Sequence, residues 1–250
     1  MFSIRTVFVC FGLLLAYTAQ LAAEDRVFLF SPGSNEITVL NAGDLTPSGS
    51  IDIPSNAFAV LAPPDAGKYY VLRQSPTDTV VVVDPATLAV TKTISLGTNA
   101  SDGVITPDGK YLLVAAGLVR VFSTETDEEV SAPIPVGGAP TQILVNNAST
   151  LAYVLAASGH SIQLIDLVNF TRSHAVSSSV VGKVDSMVLT EDDSRLIASS
   201  QDGLKQFSAT DLQLLNTTSW GSFNIVRGQV TYPGVAEAFD LPLEDVAGVL

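Results

Sequence analysis

A short motif returns about every 42 residues over most of this 250-residue chain. It consists of an apolar strand that ends in a small polar turn, and a second short strand follows the turn. The five copies read ITVLNAGDL, VVVVDPATL, VRVFSTET, IQLIDLVNF and LKQFSATDL. The residues that close the first strand of each copy are 43, 39, 43 and 42 positions apart: Asn41, Asp84, Ser123, Asp166 and Ser208. Such regular spacing indicates a chain built from repeated structural units.

Each repeat unit carries the pattern of four short strands. The clearest unit reads FAVLAPP, YYVLRQ, VVVVD and AVTKTISLG, with polar turn and loop residues between the segments. Four strands in about 40 residues are typical of one blade of a β-propeller. We therefore predict an all-β fold, a β-propeller of four-stranded blades.

The length of the chain limits the number of blades. After a 23-residue leader, 227 residues remain, which is enough for five to six blades of about 42 residues. A seven-bladed ring would need about 300 residues at this period. The first repeat also begins at its second strand, at residues 26–30. We therefore expect an incomplete propeller, an open arc rather than a closed seven-bladed ring.

The repeats also set the domain boundaries. Residues 1–23 are predicted to be a cleaved signal peptide, because Arg5 precedes an apolar core, 7–16, that is too short to span a bilayer. An uncleaved signal anchor is the alternative. We assign residues 24–219 to the propeller, and residues 220–250 to the start of a further blade or to a capping tail. The expected blades are approximately 24–56, 57–100, 101–140, 141–184 and 185–219.

Composition argues against several function classes. The chain has 25 Asp and Glu against 12 Lys and Arg, a formal net charge of −13. This charge opposes binding to nucleic acids and to anionic lipids, since both depend on basic contacts. We expect no nucleic-acid partner, and no membrane association after signal cleavage. The single cysteine, Cys10, lies in the predicted signal peptide, so we expect no thiolate nucleophile, cysteine-type zinc site or iron–sulfur centre in the mature chain.

Two segments resemble the YVTN-type β-propeller repeat of bacterial surface and secreted proteins. They read DGKYLLVAAGLVRVFSTET at 108–126 and KYYVLRQSPTDTVVVVDPATLAVTKTISLG at 68–97. The resemblance covers most of residues 26–218. It implies the propeller fold but no particular function, because the motif is structural. The strand-closing Asp of the family is present only at Asp84 and Asp166, so we expect the other repeats to lack its turn hydrogen bonds.

The candidate binding residues are polar residues of loops at one face of the predicted propeller. The loops that enter the first strands share this face with the loops between the second and third strands, and ligand sites are usually lined by a few convergent polar groups. Six polar residues belong to these loops: Asn56, Asp78, Asp102, His160, Asp185 and Asp202. We take Asn56, Asp102, His160 and Asp185 as the candidate binding residues. Histidine is a residue type that binds metals, which makes His160 the most interesting of these residues; an ordinary surface residue is the alternative.

No catalytic motif accompanies these residues. The sequence contains neither G-x-S-x-G nor H-E-x-x-H, and no second histidine joins His160 in a metal set. We therefore predict no catalytic residue, no metal and no cofactor. The predicted function is a secreted, periplasmic or cell-surface binding or scaffold module that is non-enzymatic and has a protein or glycan partner. The alternative is a propeller enzyme, a lactone hydrolase or a quinoprotein-dehydrogenase-like subunit, that uses the central funnel.

The sequence contains four Asn-x-Ser/Thr sequons, at Asn99, Asn147, Asn169 and Asn216. In a eukaryotic secretory protein these would be acceptors for N-linked glycans. In a chain rich in Asn, Ser and Thr, several also arise by chance. The family that the repeats resemble is mainly bacterial, which favours chance, and we leave both interpretations open.

Overall fold

The computed structural model describes residues 18–21, 24–29, 35–53, 56–65, 67–74, 78–200 and 203–219. They form two compact units, of which unit 1 ends at Ala132 and unit 2 begins at Pro133. In the described residues the structure is almost entirely β, with one four-residue helix, α1 (Ser178–Val181). Residues 1–17 of the predicted signal peptide, the predicted tail 220–250, and Asp202 lie outside the described residues.

Unit 1 contains three antiparallel sheets, in which neighbouring strands follow chain order. We call each sheet a blade and number the blades along the chain. Blade 1 consists of β1 (Thr18–Leu21), β2 (Glu24–Leu29), β3 (Glu36–Asn41) and β4 (Pro47–Asp52). Blade 2 consists of β5 (Ala57–Leu61), β6 (Tyr69–Arg73), β7 (Thr79–Val83) and β8 (Val90–Ser95). Blade 3 consists of β9 (Asp102–Ile105), β10 (Tyr111–Ala116) and β11 (Leu118–Ser123).

Unit 2 contains two four-stranded antiparallel sheets of the same topology. Blade 4 consists of β12 (Pro140–Val145), β13 (Leu151–Ala156), β14 (Ser161–Asp166) and β15 (Thr171–Ser177). Blade 5 consists of β16 (Val184–Leu189), β17 (Arg195–Ser200), β18 (Gly203–Ser208) and β19 (Leu214–Ser219). The described chain thus holds five blades, which agrees with the prediction of five to six.

Blade 2 is buried on both faces, which explains its continuous apolar runs. Successive side chains of a strand point to opposite faces of the sheet, so β6 and β7 contribute to two clusters. One cluster lies between blades 1 and 2. Blade 1 contributes Phe28, Ile37 and Val39, and strands β6 and β7 contribute Tyr69, Val71, Val81 and Val83. The other cluster packs against blade 3, and the residues from β6 and β7 are Tyr70, Leu72, Val80 and Val82.

The turn that follows the third strand has the same geometry in blades 1, 2, 3 and 5. The backbone N–H of the fourth residue after the strand-closing residue donates to the carbonyl of that residue over 2.8–2.9 Å. The donor has a φ of +57° to +58°, although it is never glycine: Leu45, Leu88, Asp127 and Leu212. A left-handed conformation costs such residues about 1–2 kcal/mol. Burial of the side chain offsets this cost at Leu212, which is 2% exposed in the cluster between blades 4 and 5.

The fourth strands carry a recurring β-bulge opposite the end of the third strand. In blades 1, 2 and 4 the bulged residue is Ser48, Thr91 or Ser173, and its hydroxyl donates to the carbonyl of Val39, Val82 or Leu164 over 3.2 Å. In blade 5 the bulged residue is Leu215, which has no hydroxyl. Periodicity alone does not show these bulges, because they insert one residue without changing the repeat length noticeably.

Three features differ from the sequence-based expectations. Strand β1 precedes the predicted start of the first blade and pairs with β2 from Thr18 to Leu21, inside the predicted signal peptide, whose cleavage stays a prediction. The expected fourth strand of blade 3 is reduced to an isolated bridge between Phe122 and Glu129. The strand-closing Ser123 keeps turn bonds that we expected only from Asp, since its Oγ accepts from the N–H groups of Glu125 and Thr126.

Candidate functional site

The predicted site residues lie at one end of each blade. We call this end, at which the first strand begins and the second strand connects to the third, the rim of that blade. Asn56 directly precedes β5, and Asp102 is the first residue of β9. His160 directly precedes β14, and Asp185 is the second residue of β16. Asn56 and Asp102 therefore belong to unit 1, and His160 and Asp185 belong to unit 2.

In unit 1, Gln74 connects the segments that carry Asn56 and Asp102. The carbonyl of Asn56 accepts from the backbone N–H of Gln74 over 3.0 Å, and Gln74 Nε2 donates to the carbonyl of Ala100 over 3.1 Å. Asp102 Oδ1 accepts from the N–H of Gly103 over 2.8 Å. Both predicted residues are half-buried. Sequence reasoning missed Gln74, whose position directly after β6 is its only sequence signal.

In unit 2, a backbone hydrogen bond brings the segments of His160 and Asp185 together. The N–H of Val184 donates to the carbonyl of Gly159 over 2.8 Å. Gly159 has a φ of +86°, and a Cβ atom there would overlap the carbonyl oxygen of Val184, so the close approach requires glycine. His160 and Asp185 are both exposed, and His160 Nδ1 lies 3.0 Å from the carbonyl oxygen of Ala157.

A second connection fixes the rim of unit 2. The side-chain amide of Gln142 in blade 4 donates through Nε2 to the carbonyl of Met187 in blade 5 over 3.0 Å. Its Oε1 accepts from the N–H of the same residue over 2.8 Å. The amide thereby extends the backbone pairing of one blade onto the next. Sequence reasoning also missed Gln142, because an isolated Gln in a strand carries no motif.

Asp185 occupies a bulge that recurs in the first strands. The strand register shifts at Phe58 in β5, at Thr141 in β12 and at Asp185 in β16. The Thr141 hydroxyl donates to the carbonyl of Leu155 over 3.3 Å, and both Thr141 and Asp185 are exposed. Bulges re-aim side chains next to functional sites. The structure thus adds Thr141 and Phe58 to the candidate positions.

Asp78 lies at the rim of blade 2, directly before Thr79. Arg73 is buried, and its Nη1 donates to Thr79 Oγ1 over 3.2 Å. Burial lowers the pKa of the Arg73 guanidinium from its ordinary value. Asp78 has a φ of +38°, and its buried Oδ1 atom has no hydrogen-bond partner.

The polar groups at the rims of the blades determine which ligands these rims could bind. Among the described residues, no group of three or more His, Cys, Asp or Glu side chains is placed to hold a metal ion. In the same residues, no helix has the length and apolarity that a membrane crossing needs. The arrangement of exposed His160, Asp185 and Thr141 is suited to hydrogen bonding with a partner.

No protein-family model and no curated protein matches this chain. Solved structures do match it. The hydrazine synthase of Kuenenia stuttgartiensis aligns with a TM-score of 0.66 at 17% identity, over 82% of this chain and 66% of that chain. The dihydro-heme d1 dehydrogenase NirN aligns with a TM-score of 0.66 at 15% identity, over 81% and 47%. The β-propeller domain of Cps50 (Swd1) from Myceliophteria thermophila aligns with a TM-score of 0.65 at 12% identity, over 87% and 74%.

The fold is a β-propeller. These structural matches confirm the predicted fold class, and at such low identity they show the fold alone. The chain spans 66% of the hydrazine synthase chain and 47% of the NirN chain. The similar proteins include enzymes as well as a propeller domain, so the comparisons favour neither binding nor catalysis.

Proposed function

We propose that this chain is an exported, non-enzymatic binding module that holds a protein partner at its rim. The observation that carries the proposal is the exposed pair His160 and Asp185 in unit 2. Hydrogen bonds to the backbone support the segments that present this pair. A binding surface needs polar side chains on a rigid support, and the Gly159–Val184 contact and the Gln142 amide give that support.

The charge of the chain favours a basic partner. The formal net charge is −13, and complementary charge steers association and suppresses binding of other acidic proteins. Asp185 would then pair with Lys or Arg of the partner at the rim. A glycan partner is the other candidate within the same function class, and the binding experiment below separates the two.

The proposal includes export to the medium, to the periplasm or to the cell surface. Residues 1–23 supply its support, through Arg5, the short apolar core and the small residues before Glu24. The test is N-terminal sequencing of the protein recovered from the medium or released from the cell surface. We expect Glu24 as the first residue, so that blade 1 of the exported protein lacks β1. An intact leader would contradict cleavage.

The binding test compares rim variants with matched variants elsewhere in unit 2. The rim variants are Asp185→Asn and His160→Ala, and their controls are Glu191→Gln, which follows the other end of β16, and His174→Ala in β15. Exported proteins that crosslink to the wild type are identified, and their equilibrium binding is then measured beside a glycan array. We expect each rim variant to weaken binding about tenfold, or about 1.4 kcal/mol, and the controls to bind normally. Equal effects of rim and control variants would contradict the rim as the site, and binding confined to glycans would identify the other partner class.

The rival function is a propeller enzyme, and two of the similar structures, a hydrazine synthase and a dehydrogenase, are enzymes by name. A lactone hydrolase or a quinoprotein-dehydrogenase-like subunit would use groups at the rim around His160. Metal analysis and a lactonase screen of the purified protein distinguish the readings. Activity that is lost in His160→Ala and kept in His174→Ala would replace our proposal.

We also propose that the repeats are of the YVTN type. The DGK turn of blade 3 supports this assignment, because Asp108 Oδ1 accepts both from the Thr106 hydroxyl and from the N–H of Lys110. Blade 5 repeats the arrangement with Thr190, Asp192 and Ser194. Alignment with homologues that retain the full motif would test the assignment.

A further inference from the structure

The outer edges of the blades differ in their protection. An edge strand exposes unpaired backbone groups, and proteins blunt such edges with charged residues or proline. Strand β4 contains Pro47, β8 contains Lys92 and β15 contains Arg172. Strand β19, the last strand of its sheet in the described chain, reads LLNTTS and contains neither a charge nor a proline. By composition it is the most aggregation-prone edge among these four strands.

The same strand exposes two apolar side chains. Leu214 and Leu215 are 40% and 47% exposed. Leu215 occupies the bulge position that holds a hydrogen-bonded Ser or Thr in blades 1, 2 and 4. A leucine at this position lacks that hydrogen bond and exposes apolar surface to water. A group that covers the leucine side chain would explain why a leucine is present.

Asn216 directly follows these two leucines and begins the sequon Asn216-Thr217-Thr218. Its side chain is exposed. A second sequon, Asn169-Phe170-Thr171 in blade 4, also follows an exposed apolar residue. Asn169 is exposed in the turn before β15 and directly follows Val168, which at 70% is the most exposed large apolar residue in the described chain.

The asparagines in sequons are more exposed to solvent than most of the asparagines outside sequons. All four sequon residues are exposed, and Asn99 and Asn147 are the remaining two. Of the described asparagines outside sequons, Asn41 and Asn56 are half-buried, Asn146 is buried and Asn35 is exposed. A glycan is bulky and polar and is carried only at a surface position. Exposure together with the apolar neighbours singles out Asn169 and Asn216.

We propose that Asn216 and Asn169 carry N-linked glycans, and that the glycan on Asn216 protects the uncharged edge that β19 forms in the described chain. In the transfer, Nδ2 of the asparagine forms a bond to C1 of the sugar of a lipid-linked oligosaccharide. The bond from C1 to the lipid diphosphate breaks, the lipid diphosphate leaves, and one amide proton is released. The sugar then lies over Leu214 and Leu215 and blocks the approach of another strand. This inference rests on the export part of the proposed function.

Glycopeptide mass spectrometry of the full chain, expressed in a eukaryotic secretory host, tests the modification. We expect glycans on Asn169 and Asn216, and we expect Asp in their place after treatment with a peptide N-glycosidase. Thr218→Ala and Asn216→Gln should each remove one glycan. The matched control, Thr217→Ala, keeps the sequon and should keep the glycan. For blade 4, Thr171→Ala should lose its glycan and Thr171→Ser should keep it.

The outcomes separate this inference from the export proposal on which it rests. Protein that is exported with unmodified Asn216 and Asn169 overturns the glycan inference and leaves export standing. Protein that stays in the cytosol without glycans overturns both.

The protective role has its own measurement, the concentration at which the secreted protein begins to aggregate in light scattering. Thr218→Ala and Asn216→Gln should both aggregate at lower concentration than the wild type and Thr217→Ala. Adding Leu215→Lys, which puts a charge on the edge, should restore solubility without a glycan. Unchanged aggregation in both glycan-free variants would overturn the protective role.

Discussion

Two equivalent tyrosines lie where neighbouring blades meet, and their surroundings differ. We call the contact between two neighbouring blades a joint, and we compare the joint of blades 2 and 3 with that of blades 4 and 5. The Tyr70 hydroxyl oxygen lies 3.2 Å from the carbonyl oxygen of Thr124. Tyr153, at the equivalent position of blade 4, donates to the carbonyl of Ala209 over 2.8 Å. Thr124 and Ala209 each directly follow the strand-closing residue of the next blade. The contact between the tyrosine hydroxyl and this carbonyl therefore belongs to the repeat and is kept in both units.

The two joints differ at the left-handed turn position. In unit 1 this position is Asp127, which accepts two hydrogen bonds of 2.9 Å from Lys68 and one of 2.6 Å from Tyr70. In unit 2 it is Leu212, which packs into the apolar cluster between its blades. One backbone geometry thus accepts either an ionic or an apolar side chain. The comparison teaches that the turn sets where the joint forms, while the residue in it sets how the joint is stabilised.

The largest expected effect is at the apolar joint. Leu212→Ala should lower the free energy of unfolding by about 2–4 kcal/mol, because it leaves a cavity in the cluster. Leu45→Ala is the matched control, since Leu45 has the same backbone geometry and is 61% exposed; it should cost less than about 0.5 kcal/mol. Urea unfolding measures both. Equal costs would mean that the left-handed backbone, rather than side-chain packing, decides stability at this position.

The second-largest effect on stability is expected at Asp127, in the joint between blades 2 and 3. Asp127→Ala should cost about 2 kcal/mol, less than a fully buried pair, because Lys68 and Asp127 keep partial contact with solvent. Asp127→Leu copies the apolar joint and should stay within about 1 kcal/mol of the wild type, since an apolar replacement of an ion pair is often tolerated. Thermal and urea unfolding of both variants check this. A leucine variant as unstable as the alanine variant would show that the two joints cannot be exchanged.

The buried hydroxyl of Tyr153 should make the free energy of unfolding depend on pH in alkaline solution. Burial, with a smaller contribution from Asp193, raises the pKa of Tyr153 to about 12. Above pH about 10 the unfolded chain loses this proton and the native protein keeps it, so the free energy of unfolding should fall as the pH rises from about 10 to about 12. Tyr153→Phe should cost about 1 kcal/mol at pH 7, and the difference from the wild type should narrow above pH 10. A difference that is constant with pH would contradict the raised pKa.

The smallest effect concerns the bulges of the fourth strands. Ser173→Ala removes the hydroxyl that donates to Leu164 and should cost about 0.5–1 kcal/mol. Leu215→Thr introduces the missing hydroxyl in blade 5 and should raise stability by about 0.5 kcal/mol. Urea unfolding of protein freed of glycans measures both changes. A loss of stability in Leu215→Thr would indicate that the leucine packs within the protein.

Sequence reasoning predicted the repeat architecture because strand and turn patterns are local. The repeat architecture could be predicted from the strand-closing residues Asp84 and Asp166 and from the apolar runs of blade 2. The missed features depend on pairing between strands that are distant in sequence. The bulges at Asp185 and Leu215 need the register of the neighbouring strand, and the role of Gln142 needs the position of Met187 in the next blade. The site is therefore less predictable than the fold.

The tyrosine joints also bear on how such a chain can evolve. In both joints the tyrosine hydroxyl contacts a main-chain carbonyl, which Thr124 supplies in one joint and Ala209 in the other. Blade 1 uses the same kind of acceptor, since Arg26 Nη1 donates to the carbonyl of Pro85 over 2.8 Å. Because every residue type has this carbonyl, a duplicated blade could join a new neighbour before its side chains had adapted. The repeats are then free to diverge at the rim while the joints between them persist.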